Sequence, residues 1–170
     1  AADLKLAATF SSLQAQLYPE WEVYLVIDEE DDLVNTRDPG QILHDPRTTS
    51  IRISENEELF SRLNQTLKEV SSDFIGILQP GATLSPHALY LLAEEINQAP
   101  NAVVLYTDED RLNTNGLRME PYFKPDWNPD LLYYQDTLNN FAIFKIKRLI
   151  EMGGFNRNTT DFLFWDLAIR

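Results

Sequence analysis

From residue 3 to residue 111, short apolar runs alternate with segments whose apolar side chains recur at helical spacing. That alternation constrains the fold more than any other feature. Strands joined through helices are expected to run parallel, and a parallel sheet needs helices packed on its faces. Residues 3–17 place Leu6, Phe10, Leu13 and Leu17 on one helical face, with Asp3 as N-cap. Tyr18-Pro19 ends that helix, because the residue before a proline is pushed out of the α region. Residues 21–27 read as a buried strand, and 49–53 as a short second one. Ser54-Glu55-Asn56-Glu57 matches a capping box and opens a helix with Leu59, Phe60, Leu63, Leu67 and Val70 on one face. Residues 73–78 form the next strand, stopped by Gln79-Pro80-Gly81. Ser85-Pro86 predicts an N-cap followed by proline at the first helical position, with Leu89, Leu92, Ala93 and Ile96 facing inward.

The last strand of the series, residues 103–111, runs into Asp108-Glu109-Asp110, and the strand at 21–27 runs into Asp28-Glu29-Glu30-Asp31-Asp32. In α/β proteins ligands sit beyond the carboxyl ends of the strands, and carboxylates there can hold a hard divalent cation that clamps a phosphate. A polar turn in an acidic chain produces the same triplet without any metal. Beyond Asp110 the rhythm changes. Residues 111–130 are polar and proline-interrupted, with the aromatic segment Pro121-Tyr122-Phe123-Lys124-Pro125-Asp126-Trp127-Asn128-Pro129. Residues 141–144 read as a strand, 147–152 as a short helix closed by Gly153-Gly154, and 161–170 as a helix with Phe162, Phe164 and Trp165 at its start.

A chain of 170 residues fits a single α/β domain spanning 1–170. No apolar run reaches membrane-span length and no signal-peptide pattern opens the chain. The absence of cysteine excludes disulfides and thiolate metal sites, and the isolated His44 and His87 argue against structural zinc. A net charge of −13 argues against sequence-independent nucleic-acid binding, which needs basic patches, and favours solubility.

Several segments carry a family resemblance. Residues 13–23, LQAQLYPEWEV, resemble the "SLLAQTYPNWEL" opening of family 2 glycosyltransferases. Residues 82–90, ATLSPHALY, are similar to the family's "DELAPHALY", and 105–111, LYTDEDR, to its "YSDEDK". Residues 120–132, EPYFKPDWNPDLL, look like "EPFFKPDWSPDLL", and Gly153-Gly154-Phe155 and 165–170, WDLAIR, resemble "GGF" and "YDLALR". The matches run in order over nearly the whole chain. The resemblance implies a GT-A fold, a Rossmann-like, mostly parallel mixed sheet with helices on both faces. It also implies a nucleotide-diphosphate sugar donor, Mn²⁺ or Mg²⁺, a glycan or lipid-linked acceptor, and inversion by a carboxylate base. A cytoplasmic setting is expected, with any membrane association through other domains. The family's first strand precedes residue 1, so the chain is expected to belong to a longer protein, and an unpaired sheet edge invites oligomerisation.

The same resemblance exposes losses. The nucleotide-contacting "VDDGS" falls on Ile27-Asp28-Glu29-Glu30, which keeps an acid at Asp28 but no glycine. The metal motif "LDHDD" falls on Leu78-Gln79-Pro80-Gly81-Ala82, where no carboxylate remains. The catalytic acid of "EDYDLALR" falls on Phe164 and its neighbour on Leu163, while Asp166 matches the second aspartate and is read as structural. Two readings follow. In one, the domain keeps the scaffold with weak or lost catalysis and serves as a binding or assembly module. In the other it is an active, metal-dependent, inverting enzyme. Asp108 and Asp110 would then hold the metal, Asp28 would join them at the nucleotide-sugar, and the catalytic carboxylates would be sought at Asp161, as relocated base, and Asp166. Tyr122 and Trp127 are the acceptor-side candidates, and Phe123 is expected to pack into the core. An unrelated nucleotide binder would need a glycine-rich phosphate loop, which the chain lacks.

Overall fold

The computed structural model describes residues 2–28, 42–53, 59–138, 140–156 and 163–170. They form α1 (Ala2–Gln14), β1 (Val23–Asp28), a 3₁₀ turn (Ile42–His44), β2 (Thr48–Ile53) and α2 (Leu59–Glu69). β3 (Phe74–Gly76), α3 (Ala88–Gln98), β4 (Val104–Tyr106), β5 (Glu109–Leu112) and β6 (Arg118–Tyr122) follow. The chain closes with α4 (Pro129–Leu132), β7 (Ala142–Lys145), α5 (Ile146–Glu151) and α6 (Leu163–Ile169). Two compact units result, residues 1–63 with 78–101, and residues 64–77 with 102–170. The capping box at Ser54–Glu57 and the acidic run after Asp28 lie outside the described residues.

In the first unit β1 and β2 pair in parallel, Val23 opposite Thr48 and Asp28 opposite Ile53. Phe10, Leu13 and Ile42 are buried together, with Leu6, Trp21, Val23, Leu25, Leu78, Leu84 and Leu89 packed against them. The burial of Ile42 anchors the 3₁₀ turn to the helix. α1 stops at Gln14 and leaves Leu17 exposed, so the helix is a turn shorter than its apolar spacing predicts.

Polar side chains of α1, and of Gln16 just beyond it, organise the segment after β3. Gly81 N donates to Thr9 Oγ1 at 2.8 Å, Leu84 N to Ser12 Oγ at 3.1 Å and Leu89 N to Gln16 Oε1 at 3.0 Å. Gln16 Nε2 also donates to the Ser85 carbonyl at 2.8 Å. The helix expected to begin at Ser85-Pro86 therefore begins at Ala88, and His87 in the N-cap position makes no side-chain cap. Gln16, from a distant segment, supplies the acceptor that an N-cap side chain normally provides. Gln16→Ala is expected to cost about 1–2 kcal/mol, because a backbone donor and acceptor lose their partner together. A thermal midpoint lowered by roughly 3–6 °C would show it.

The second anchor of this unit is Asp45. It forms a salt bridge with Arg47 at 2.9 Å, and the Arg47 guanidinium lies 3.5 Å over the Trp21 ring. Hydrogen bonds from the Arg47 side chain, then from its backbone N–H, hold the Asp45 carboxyl well below the ordinary aspartate range. A depressed carboxylate stabilises the fold above its unfolded-state pKa and loses that contribution as pH falls toward the native value. Asp45→Asn is therefore expected to lower the melting midpoint at neutral pH. The gap to wild type should close progressively below about pH 4, as melting curves across that range would record.

In the second unit β7 lies between β3 and β4 and is antiparallel to both. β3 and β4 thus share a direction without pairing. That is why they read as neighbours in a parallel sheet, although the strand between them arrives only after both. Gly76 is needed here: a Cβ would meet Phe141 at 2.9 Å and Ile143 at 3.0 Å. Leu105, Ala142, Ile143, Phe144, Ile146 and Leu149 are buried, as are Phe155, Phe164 and Leu167 further along the chain.

Candidate functional site

The stretch at 103–111 is not one strand. β4 ends at Tyr106, Thr107 and Asp108 leave the sheet, and Glu109 starts β5, which pairs with β6 instead. The polar region after Asp110 is therefore a hairpin and not a structureless connection. Its turn is closed by Asn113, whose Oδ1 accepts from Asn115 N at 2.9 Å and Leu117 N at 3.0 Å, and by Gly116 at φ 75. A register shift between Glu109 and Arg111 puts Asp110 at a bulge.

Each carboxylate of the triplet is engaged, by the hairpin or by residues that follow it. Asp108 Oδ1 accepts from Lys124 N at 2.8 Å. Asp110 Oδ2 lies 2.8 Å from Arg118 Nη1. Glu109 Oε2 lies 3.0 Å from Lys124 Nζ, and Glu109 Oε1 accepts from Asn140 Nδ2 at 2.6 Å. The Lys124 side chain is only 1% exposed. A divalent cation needs several oxygen ligands converging on one point. Here Asp110 and Glu109 face cations already in the chain, and among the described residues no group of three or more His, Cys, Asp or Glu is arranged to hold an ion. The donor set as placed does not fit a resident Mn²⁺ or Mg²⁺.

Asp28 closes β1 in the first unit, and its side chain lies outside the described set. Asp161 also lies outside the described residues. Asp166 Oδ2 is paired with Arg170 Nη2 at 2.7 Å, one helical turn on. Arg170 also donates to the carbonyls of Gly154 at 2.8 Å and Met152 at 3.1 Å, so this pair ties α6 to the turn after α5. Phe164 is buried and stacks on Phe144, ring centroids 6.1 Å apart at 22°.

The aromatic segment departs from expectation in one respect. Phe123 is 75% exposed and does not pack into the core, because it follows the last residue of an edge hairpin whose inward position is taken by Lys124. Trp127 is half exposed and tilted against Tyr106, centroids 6.5 Å apart. The Tyr106 hydroxyl donates to the Pro125 carbonyl at 2.7 Å. Burial, and secondly the Asp126 charge, push the Tyr106 phenol above its ordinary value. Tyr122 is partly buried, its hydroxyl accepting from Gln135 Nε2 at 3.1 Å. The residues that organise this region, Lys124 and Asn140, had one faint signal between them: a lone lysine in an aromatic, proline-rich segment of an acidic chain.

The first unit is thus built on a parallel strand pair, and in the second the β4 terminus leads into a carboxylate-bearing hairpin. Residues 4–161 match the model of glycosyl transferase family 2, and the chain belongs to that family. It is 33% identical over 175 residues to the O-antigen biosynthesis protein RfbC of Myxococcus xanthus, an alignment covering 100% of this chain and 13% of that protein. Among solved structures it is similar to residues 1–349 of S. aureus TarS in complex with UDP, with TM-score 0.66, 14% identity, and coverage of 98% of this chain and 51% of that one. It is also similar to the mannosyltransferase PcManGT of Pyrobaculum calidifontis with GDP-Man and Mn²⁺, with TM-score 0.58, 16% identity, and coverage of 91% and 44%. The fold is GT-A. The chain spans about an eighth of the RfbC relative's length. No helix among the described residues is long and apolar enough to cross a membrane.

Proposed function

We propose that this chain is a family 2 glycosyltransferase domain with weak or lost catalysis, acting as a binding or assembly module in glycan synthesis within a larger protein. The observation that carries this reading is Phe164. It takes the place of the acid in the family's "EDYDLALR", and its ring is buried against Phe144, where it can neither accept a proton nor bind a metal. The engaged carboxylates of Asp108, Glu109 and Asp110 support the same reading, as does Gln79-Pro80-Gly81 where the metal motif is expected, docked on α1 through Gly81. In this proposal any donor contact falls to Asp28 or to the Asp108–Asp110 turn, and the acceptor side is the Tyr122–Trp127 segment.

The competing reading is an active inverting enzyme with a metal on Asp108 and Asp110 and a base at Asp161 or Asp166. It requires Asp110 and Asp166 to leave Arg118 and Arg170. The test is nucleotide release from UDP-, GDP- and dTDP-sugars, each with and without Mn²⁺, beside a thermal-shift titration with the same nucleotides. No metal-dependent release above the protein-free blank is expected. Release that needs Mn²⁺ and disappears in Asp108→Asn would overturn the proposal.

A further inference from the structure

Among the described residues, the large aromatic side chains left exposed concentrate in one short stretch: Phe123 (75%), Trp127 (49%), Tyr133 (65%) and Tyr134 (88%), with Tyr90 the sole other case. Exposed aromatic area at that density marks a contact surface. Its backbone is held in place before any contact is made. Lys124 is anchored through both its N–H and its ammonium, and the Pro125 carbonyl is held by Tyr106. Trp127 leans on Tyr106, and Asn128 Oδ1 caps the next helix through Leu131 N at 3.1 Å.

The polar groups on this stretch decide the chemistry of what it contacts. Asp126 is exposed between the two rings in sequence, and its charge reaches Tyr106. An apolar protein face laid over Phe123 and Trp127 would bury that carboxylate without compensation. An anionic lipid surface would be repelled by it and by the net charge of −13. A sugar ring has an apolar C–H face for an aromatic ring and hydroxyl donors at its edge for a carboxylate.

We propose that residues 123–127 form a saccharide platform, with Trp127 and Phe123 stacking on the C–H faces of neutral pyranose units and Asp126 accepting hydrogen bonds from their hydroxyls. The inference deepens the acceptor-side reading above and rests on it, but adds Phe123 and Asp126 and specifies an uncharged ligand. Because the segment is held by Lys124 and Tyr106, binding would need little reordering.

Saturation-transfer NMR on the full chain tests it, with methyl glycosides of mannose, glucose, galactose and rhamnose and with N-acetylglucosamine as probes. Transfer to the C–H protons of at least one probe is expected. Phe123→Ala, with an unchanged melting midpoint, and Trp127→Ala, measured well below its own midpoint, should each weaken binding at least about fivefold, and Trp127→Tyr should retain most of it. Asp126→Asn should weaken binding less than either ring loss. No transfer to any probe, or undiminished binding by both alanine variants, overturns the inference. That result removes the acceptor-side reading of this segment but leaves the proposed loss of catalysis standing, because metal-dependent nucleotide release is measured separately.

Discussion

Gly154→Ala is expected to destabilise the chain by about 3–5 kcal/mol, the sum of a strained backbone and a broken polar clamp. Gly154 sits at φ +77, where a side chain is strained, and a Cβ would stand 2.1 Å from Asn64 Oδ1. Asn64 cannot move freely. Its Oδ1 accepts from Phe155 N at 2.7 Å and its Nδ2 donates to the Phe155 carbonyl at 2.9 Å, so one amide satisfies both backbone groups of a buried residue. Displacing it leaves those groups unpaired, at about 1–3 kcal/mol each in the worst case. Gly153, at φ +91 with nothing within 4 Å of where a Cβ would stand, is the internal control. Gly153→Ala should show the conformational cost alone, about 1–2 kcal/mol. Chemical denaturation of Gly154→Ala, Asn64→Ala and the double variant makes the test. Because Asn64→Ala removes the obstacle, the double variant should cost less than the sum of the singles by about 1–2 kcal/mol. Strict additivity would contradict the clamp.

Much of the scaffold is legible because it is written in local periodicity. The inward positions Phe10, Leu13, Phe60, Leu67 and Leu92 are buried as their helical spacing predicts, and the strands before Asp28 and at 74–76, 104–106 and 142–145 lie where β-rich apolar runs stand. What stays hidden is carried by polar side chains acting across long separations. Gln16 caps a helix 73 residues away and Asn64 clamps Phe155 91 residues away, and no window of sequence contains both partners. The break of 103–111 at Thr107 has the same origin. β5 turns aside because its pairing partner is β6 and its carboxylates answer Lys124 and Arg118, all of them supplied downstream. Phe123 departs from its expected burial because alternation along the chain decides which of two neighbours points inward. The inward neighbour here is a lysine, an assignment that hydrophobicity alone ranks last. At the candidate site the carboxylates Asp108 and Asp110 stand out in the sequence, but the Lys124 N–H and the Arg118 guanidinium that engage them do not.

Lys124 is accordingly the residue whose loss should most disturb the site. Its ammonium is almost wholly buried against Glu109, which is about a quarter exposed and also bound by Asn140. Removing one partner of a buried pair strands the other charge, at about 3–5 kcal/mol, and the partial exposure of Glu109 lets water recover some of that. Lys124→Met is therefore expected to cost about 2–3 kcal/mol. The loss should be local before it is global. Hydrogen exchange should accelerate at the paired amides of β5 and β6 while β3, β7 and β4 keep their protection, because the pair fastens the hairpin and not the three-stranded sheet. Adding Glu109→Gln should restore roughly half of the lost stability, since glutamine carries no charge to strand and keeps an acceptor for Asn140. Lys124→Arg should not substitute, because the fork of a guanidinium does not fit a space shaped for a compact ammonium. A Lys124→Met chain as stable as wild type, or a double variant no better than the single, would mean that the hairpin is held by its backbone pairing alone. In the expected case the consequence reaches the site itself. The backbone N–H that residue 124 donates to Asp108 survives the substitution, so what changes is the hold of the Lys124 side chain on Glu109 and, with it, the segment that carries Phe123 and Trp127.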